Sequence, residues 1–115
     1  MPDIGIIGGA GYVGLITGVG FAALGHKVSS QDIDQERLEL LRTGQATFYE
    51  DGLEPILREL IDRNQISFTD DQSATIREST VLFIAVSTPP LSSGAADLSE
   101  VISVAERLRD EIKKY

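Results

Sequence analysis

The chain has 115 residues, enough for one domain with a sizeable core. Its net charge of −8 argues against nucleic acid as a partner, and no apolar run is long enough to span a membrane. It has no cysteine and one histidine, His26, which excludes a disulfide framework, a thiol nucleophile and a multi-histidine zinc site. We expect no metal site, and the cytoplasm is the default location.

Apolar runs alternate with amphipathic stretches along the chain, a pattern typical of βαβ units around a parallel sheet. The pattern predicts a strand over residues 3–8, a helix over 11–24, a short strand over 27–31 and a helix capped by Asp34. The first helix is expected to face the sheet with its larger apolar residues, which are Val13, Ile16, Val19 and Phe21.

The second half of the chain continues the alternation. Residues 51–54 (DGLE) and 97–100 (DLSE) are each interpreted as a capping box that starts a helix. A strand is predicted over 66–69 and a short helix over 73–78, and residues 81–86 (VLFIAV) are typical of a central parallel strand covered on both faces. The last helix is expected to bury one apolar stripe, formed by Val101, Val104, Ala105, Leu108 and Ile112.

These elements predict an α/β fold with a Rossmann-type, doubly wound parallel sheet. About four strands are present, and their expected order is 3-2-1-4. The sheet is partial, because a complete dinucleotide-binding fold combines two βαβαβ halves and the chain has residues for little more than one.

Residues 8–14 (GGAGYVG), between the first strand and the first helix, are the main functional signal. Glycines let a backbone approach phosphates, and the start of a helix offers free N–H groups and a positive dipole end to a pyrophosphate. Two patterns fit. Gly9, Gly11 and Gly14 match the G-x-G-x-x-G of dinucleotide-binding dehydrogenases. With Gly8 in place of Gly9, the spacing matches the G-x-x-G-x-x-G of nucleotide-sugar epimerases.

Asp32 follows the second strand, at about the distance from the glycine turn at which the fold places a carboxylate for the adenosine ribose. A carboxylate there repels a 2′-phosphate, which favours NAD over NADP. The alternative is that Asp32 or Asp34 only caps the next helix. Arg37, one turn beyond Asp34, could face the adenosine or could be a solvated helix charge.

Six short segments form a recognisable series: GAGYVG at 9–14, GHKV at 25–28, DID at 32–34, YEDGL at 49–53, FIAVSTPP at 83–90 and ADLS at 96–99. Together they resemble the N-terminal NAD-binding domain of the UDP-glucose/GDP-mannose dehydrogenase family, in register over nearly the whole chain. Asp51 departs from the family, which usually has proline in Tyr-Glu-Pro-Gly-Leu. The resemblance favours the pattern of Gly9, Gly11 and Gly14, with Gly8 ending the strand.

The resemblance implies NAD-contacting positions in three places: Tyr12 and Val13 in the phosphate turn, Asp32 and Arg37 near the adenosine ribose, and Thr88 after the fourth strand. An independent argument also favours a ligand contact for Thr88, since it follows the carboxyl end of a strand near the point where such sheets bind ligands. The alternative is that Ser87 and Thr88 only satisfy backbone groups at the strand end.

The resemblance further implies a function, the oxidation of UDP-glucose or a related nucleotide-sugar to its uronic acid with NAD. The family's catalytic cysteine and lysine lie outside this region, so no catalytic residue is assigned here. Residues 1–115 are interpreted as the N-terminal part of an NAD-binding Rossmann domain, with the substrate and catalytic domains absent. We expect the chain alone to be inactive, and the full-length protein to form a homo-oligomer.

Two alternatives remain open at this point. The chain could be a standalone, non-catalytic nucleotide-binding module, or it could belong to an NAD-dependent nucleotide-sugar epimerase. The three tyrosines offer no Tyr-x-x-x-Lys pair of the kind that epimerases use.

Overall fold

The computed structural model describes residues 1–113, in which five helices pack against a four-stranded sheet. The elements are β1 Ile4–Ile7, α1 Tyr12–Ala23, β2 Val28–Gln31, α2 Gln35–Arg42, α3 Leu53–Asp62, β3 Ile66–Thr69, α4 Gln72–Glu78, β4 Val81–Ile84 and α5 Ser99–Ile112. The strands are parallel and lie in the order β3-β2-β1-β4. The predicted partial Rossmann-type sheet is therefore confirmed. None of the helices in this described part is long and apolar enough to cross a membrane.

The register of the sheet brings the carboxyl ends of three strands to one edge. Ile7, the last residue of β1, pairs with Gln31 of β2 on one side and with Ile84 of β4 on the other. The segments that follow these strands therefore leave the sheet side by side. They include the glycine turn (residues 8–11), which connects β1 to α1.

The core lies between the sheet and the helices α1, α2 and α3. β1 is buried along its whole length. The large aliphatic side chains packed in this cluster include Ile4, Ile6, Leu15, Val19, Leu38, Leu41, Leu57 and Leu60. Burial of each such side chain contributes about 1.5–3 kcal/mol, so the strand that carries the glycine turn is firmly held.

The prediction that Val13 and Ile16 of α1 face the sheet is wrong. Val13 is 66% exposed and Ile16 lies on the same outer surface. The helix instead buries a face that contains two glycines, together with Leu15, Val19 and Ala22. The small residues face the sheet because the helix approaches it closely: a Cβ on Gly14 would overlap the carbonyl oxygen of Gly8. The sequence of α1 carries no charge that marks its outer side.

The capping box predicted at residues 51–54 is wrong. The residue that precedes α3 is Gly52, whose φ of 80° lies in the left-handed region, and no side chain caps the helix. Glu54 is used elsewhere, since its Oε2 accepts a hydrogen bond of 2.9 Å from the backbone N–H of Ala46. This carboxylate therefore anchors the loop over residues 46–52 (the β2–β3 crossover loop) to the start of α3.

The capping box predicted at residues 97–100 is also wrong in detail. Asp97 accepts a hydrogen bond of 3.0 Å from the backbone N–H of Ser99, but the residue at the N-cap position is Leu98. The carboxylate thus organises the turn before α5 rather than the first turn of the helix.

Two expectations of burial near the end of the chain are corrected. β4 spans four residues at the edge of the sheet in the described part, and Val81 and Ile84 are 39% and 42% exposed. It is therefore not covered as a central strand would be. In α5, Ala105 and Ile112 are exposed, whereas Glu111 is buried and its Oε2 lies 3.7 Å from Nη1 of Arg77 in α4. The packing of α5 against the short α4 selects a narrower buried face than the apolar stripe suggested.

Candidate functional site

A groove of about 750 Å³ opens at the edge where β1, β2 and β4 end. This volume lies in the range of roughly 300–1,000 Å³ that small-molecule sites occupy, and the carboxyl edge of a parallel sheet is where such folds bind ligands. The lining comes from five segments: Ile7, Gly8, Gly11, Tyr12 and Val13; Gln31, Asp32, Ile33, Asp34 and Arg37; Gln72; Ala85, Val86 and Ser87; and Glu100, Ser103 and Val104.

Three of the glycines in residues 8–14 are required by the packing of the turn itself. Gly8 has a φ of 89°, which side chains rarely tolerate, and a Cβ there would come within 2.7 Å of Ala85 backbone atoms. A Cβ on Gly9 would lie 2.6 Å from the Cβ of Ser30, and one on Gly14 would overlap Gly8. These glycines let the turn and α1 lie directly against the sheet.

Gly11 is different, because the fold does not need a glycine there. Its φ is −78°, and the nearest atom to a Cβ built on it, the carbonyl oxygen of Gly8, is 3.9 Å away. Gly11 lines the groove. An absent side chain in open space leaves room for a ligand to reach the backbone at the start of α1.

The start of α1 is suited to an anion. The first N–H groups of a helix have no partner within the helix, and they carry the positive end of its dipole. In α2 and α4 the side chains of Asp34 and Asp71 cap these groups, but α1 has neither a side-chain cap nor an acid in its first turn. The N–H groups at the N-terminus of α1 are thus left for a ligand such as a phosphate.

Of the two aspartates that the sequence offered as the cap of α2, the structure uses Asp34. Asp34 caps α2, since its Oδ1 accepts a hydrogen bond of 3.2 Å from the N–H of Arg37. The carboxylate of Asp32 instead accepts two backbone N–H groups, that of Ala10 at 3.0 Å and that of Asp34 at 3.1 Å. Each carboxylate oxygen keeps a further lone pair. Asp32 therefore ties the glycine turn to the end of β2 and can still accept hydrogen bonds from hydroxyl groups in the groove.

Arg37 lines the groove but is also paired. Its Nε lies 3.3 Å from Oδ2 of Asp34, and both side chains are about half exposed. An exposed pair of this kind contributes about 0–1 kcal/mol to stability. The guanidinium keeps other N–H donors, so it can also bind a polar group of a ligand.

The structure brings most of the predicted site residues together. Those that line the groove are Gly11, Tyr12, Val13, Asp32 and Arg37, while Gly9 and Gly14 shape the turn behind it. Thr88 is exposed and does not line the groove, although its neighbour Ser87 does.

The sequence interpretation missed groove residues on several segments, among them the turn between β2 and α2 and the helix α5. Ile33 is 77% exposed between Asp32 and Asp34, and such an exposed aliphatic side chain could have indicated a ligand surface. Glu100 and Ser103 come from α5, and nothing local in the sequence predicts that α5 reaches the groove. The charged groups of the lining are three carboxylates and one guanidinium, so a pyrophosphate would depend on the backbone N–H groups of α1.

A parallel sheet in the order 3-2-1-4, with a glycine turn at the start of α1 and an aspartate after β2, defines a dinucleotide-binding domain. The family model described as "UDP-glucose/GDP-mannose dehydrogenase family, NAD binding domain" matches residues 3–115. The chain belongs to this family and carries its NAD-binding domain, which confirms the resemblance and the NAD prediction.

The similarity of the chain to individual proteins agrees with the family match. The chain is 43% identical over 106 residues to the UDP-glucose 6-dehydrogenase of Pseudomonas aeruginosa, a match that covers 92% of this chain and 23% of that protein. It is 36% identical to the UDP-glucose 6-dehydrogenase TuaD of Bacillus subtilis, over 100% of this chain and 25% of that protein. A UDP-glucose dehydrogenase structure from Pyrobaculum islandicum superposes with a TM-score of 0.91 at 36% identity, over 99% of this chain and 26% of that one. The chain thus spans about a quarter of the length of these relatives.

Proposed function

We propose that this chain is the NAD-binding part of an enzyme that oxidises UDP-glucose or a related nucleotide-sugar to its uronic acid. The family match over residues 3–115 supports this proposal, as do relatives that are UDP-glucose 6-dehydrogenases. The family match also favours the dehydrogenase alternative over the epimerase one. We further propose that the substrate and catalytic domains belong to a longer, homo-oligomeric protein of the cytoplasm.

The observation that carries the cofactor assignment is the unfilled space at Gly11. The fold tolerates a side chain there, yet the position is a glycine and lies in the groove lining at the uncapped start of α1. The proposal assigns the pyrophosphate of NAD to this position, where the N–H groups of the helix start bind it. Gly9 and Gly14 allow the turn to sit close enough to the sheet for this contact.

The same proposal assigns the adenosine ribose to the end of β2. The carboxylate of Asp32 accepts the ribose hydroxyls with its remaining lone pairs and repels a 2′-phosphate, so NAD is preferred over NADP. Arg37 lies beside it and contributes N–H donors. Tyr12 and Val13 contact the cofactor from the groove wall, and Thr88 contacts it from the loop after β4.

The residues of this chain bind and orient the cofactor. When bound, NAD supplies the hydride acceptor for oxidation of the sugar. The chain has no cysteine, and we assign none of its residues to the chemical steps. The proposal therefore predicts that residues 1–115 bind NAD but do not oxidise a nucleotide-sugar on their own.

Two measurements test the proposal. The first is calorimetric titration of NAD and NADP into the protein, in which tighter binding of NAD is expected. The second is NAD reduction by the protein at its natural length with UDP-glucose and related sugars. Absence of NADH with every nucleotide-sugar tried would overturn the enzymatic part.

A standalone nucleotide-binding module is the second candidate. The reading frame distinguishes it from the first: several hundred further codons that include a cysteine support the dehydrogenase, whereas a stop codon after Tyr115 supports the module.

A further inference from the structure

Ala10, in the middle of the glycine turn, is held at both of its backbone polar groups by side chains from other segments. Ala10 itself is completely buried. Its N–H donates to Oδ2 of Asp32 at 3.0 Å, and its carbonyl oxygen accepts a hydrogen bond of 3.1 Å from the hydroxyl of Thr47. Thr47 belongs to the β2–β3 crossover loop, which is remote in sequence from the turn.

The contact with Thr47 fixes the direction of a group that the ligand would use. The carbonyl of Ala10 and the N–H of Gly11 belong to one planar peptide, and the described residues contain no cis peptide bond. In a trans peptide the two groups point in opposite directions. The hydroxyl of Thr47 binds one side of this peptide. It therefore directs the N–H of Gly11, which lies at the start of α1, away from the crossover loop.

We propose that Thr47 is a positioning residue of the pyrophosphate site, one that acts by fixing the Ala10–Gly11 peptide. This inference rests on the proposed function, because it presumes that the turn binds the pyrophosphate of NAD. Thr47 does not line the groove, so it acts through the backbone rather than by touching the cofactor.

The neighbours of Thr47 hold the loop in the position that this contact needs. On one side, the N–H of Ala46 donates to the carboxylate of Glu54 at 2.9 Å. On the other side, the ring of Phe48 lies with its centroid 4.7 Å from that of Tyr12, at the first position of α1. The loop is thus attached to α3 and to α1, so the hydroxyl is preorganised and little ordering is required when a ligand binds.

Thr47→Val removes the hydroxyl with little change of shape, and Thr47→Ser retains it. Thr43→Val is a matched control, because the hydroxyl of Thr43 also donates to a backbone carbonyl, that of Leu40 at 2.7 Å, but at the far end of α2. Each variant is titrated, in the protein at its natural length, with NAD, with ADP-ribose and with adenosine, which lacks the pyrophosphate. Should Thr47→Val not fold, Thr47→Ala is measured in its place.

We expect Thr47→Val to weaken NAD and ADP-ribose roughly 3- to 10-fold, the equivalent of one net hydrogen bond, and to leave adenosine unchanged. Thr47→Ser is expected to restore the affinity, and Thr43→Val to alter none of the three ligands. Equal weakening of adenosine and ADP-ribose would show a merely structural role, and unchanged NAD affinity in Thr47→Val would also overturn the inference. Failure of the unaltered protein to bind NAD is a separate result, which overturns the proposed function and this inference with it.

Discussion

The carboxylate of Asp32 and the backbone N–H of Ala10 are joined by a hydrogen bond of 3.0 Å, which links the end of β2 to the glycine turn. Asp32 therefore has a structural task before any ribose is bound. Loss of NAD affinity in an Asp32 variant would not by itself demonstrate a ribose contact, because the variant also releases the turn. A comparison of two cofactors separates the two effects.

We expect Asp32→Asn to lower NAD affinity by about 10-fold or more, since hydrogen bonds to a charged acceptor contribute about 1.5–3 kcal/mol. The ratio of NADP to NAD affinity should rise, because the charge that repels the 2′-phosphate is removed. Calorimetric titration with both cofactors measures the ratio. Equal losses for NAD and NADP would restrict Asp32 to holding the turn. Asp62→Asn, on the exposed side of α3, is the control for a change in net charge.

Three glycine-to-alanine substitutions should give three different results. Gly11→Ala is expected to change the free energy of unfolding by less than about 1 kcal/mol, because a Cβ there meets no atom closer than 3.9 Å, but to abolish detectable NAD binding. Gly14→Ala should cost about 1–3 kcal/mol or more, since its Cβ overlaps the carbonyl oxygen of Gly8. Gly20→Ala, with no atom within 4 Å in mid-helix, should stabilise by about 0.5–1 kcal/mol.

Urea unfolding and NAD titration of the same three variants provide the comparison. Retention of NAD affinity in Gly11→Ala would contradict the assignment of the pyrophosphate of NAD to the groove at Gly11. A stable Gly14→Ala variant would contradict the close packing of α1 on the turn.

Asp51→Pro is expected to stabilise the chain by about 0.4–1 kcal/mol. The N–H of Leu53 donates to the carbonyl of Glu50 at 3.2 Å, and Gly52 has φ 80° and ψ −2°, as at the third residue of a type II turn. Proline is favoured at the second residue, where the family usually has it. Thermal unfolding measures the change. Gly52→Ala, which places a side chain at a positive φ, should instead destabilise the chain by about 1–2 kcal/mol. A destabilising effect of Asp51→Pro would show that the turn is of another type.

The hydrogen bond between the backbone N–H of Ser99 and the carboxylate of Asp97, in the turn before α5, should depend on pH. The hydrogen bonds from the backbone N–H and the side chain of Ser99 lower the pKa of Asp97 below its ordinary value of 3.8. A lowered pKa means that the ionised form is favoured in the folded chain, so the contact persists at neutral pH and is lost only as the pH falls through that lowered value.

The amide resonance of Ser99, followed by NMR during an acid titration, tests this prediction. Its midpoint should lie below 3.8, and Asp97→Ala should abolish the titration. A midpoint above 3.8 would show that the contact is not retained in solution.

The parts of the fold that the sequence predicted are those decided by local chemistry. The strand order followed from the alternation of apolar runs and helices, and the cap at Asp34 followed from side-chain chemistry at a helix start. The buried face of α1 could not be predicted, because the helix is apolar all round and packs through glycines. The exposure of Val81 and Ile84 depends on the neighbours of β4 rather than on its own composition.

The candidate site was predicted where the residues form a motif and missed where they meet from distant segments. The glycine turn and Asp32 lie at the spacing that the fold requires. The contact of Thr47 with Ala10 and the approach of Glu100 to the groove both join segments far apart in the sequence. Only the folded packing brings such pairs together, and no short pattern encodes them.

The central position of β1 has a consequence for the order in which this domain is assembled. Among the described strands, β1 comes first along the chain, but it pairs on one side with β2 and on the other with β4, the fourth strand. Contacts between segments so distant in sequence are slow to form. A nascent chain that has emerged only as far as β3 therefore has the complete glycine turn but lacks one wall of the groove. The groove proposed for the cofactor can therefore form fully only after β4 has paired with β1.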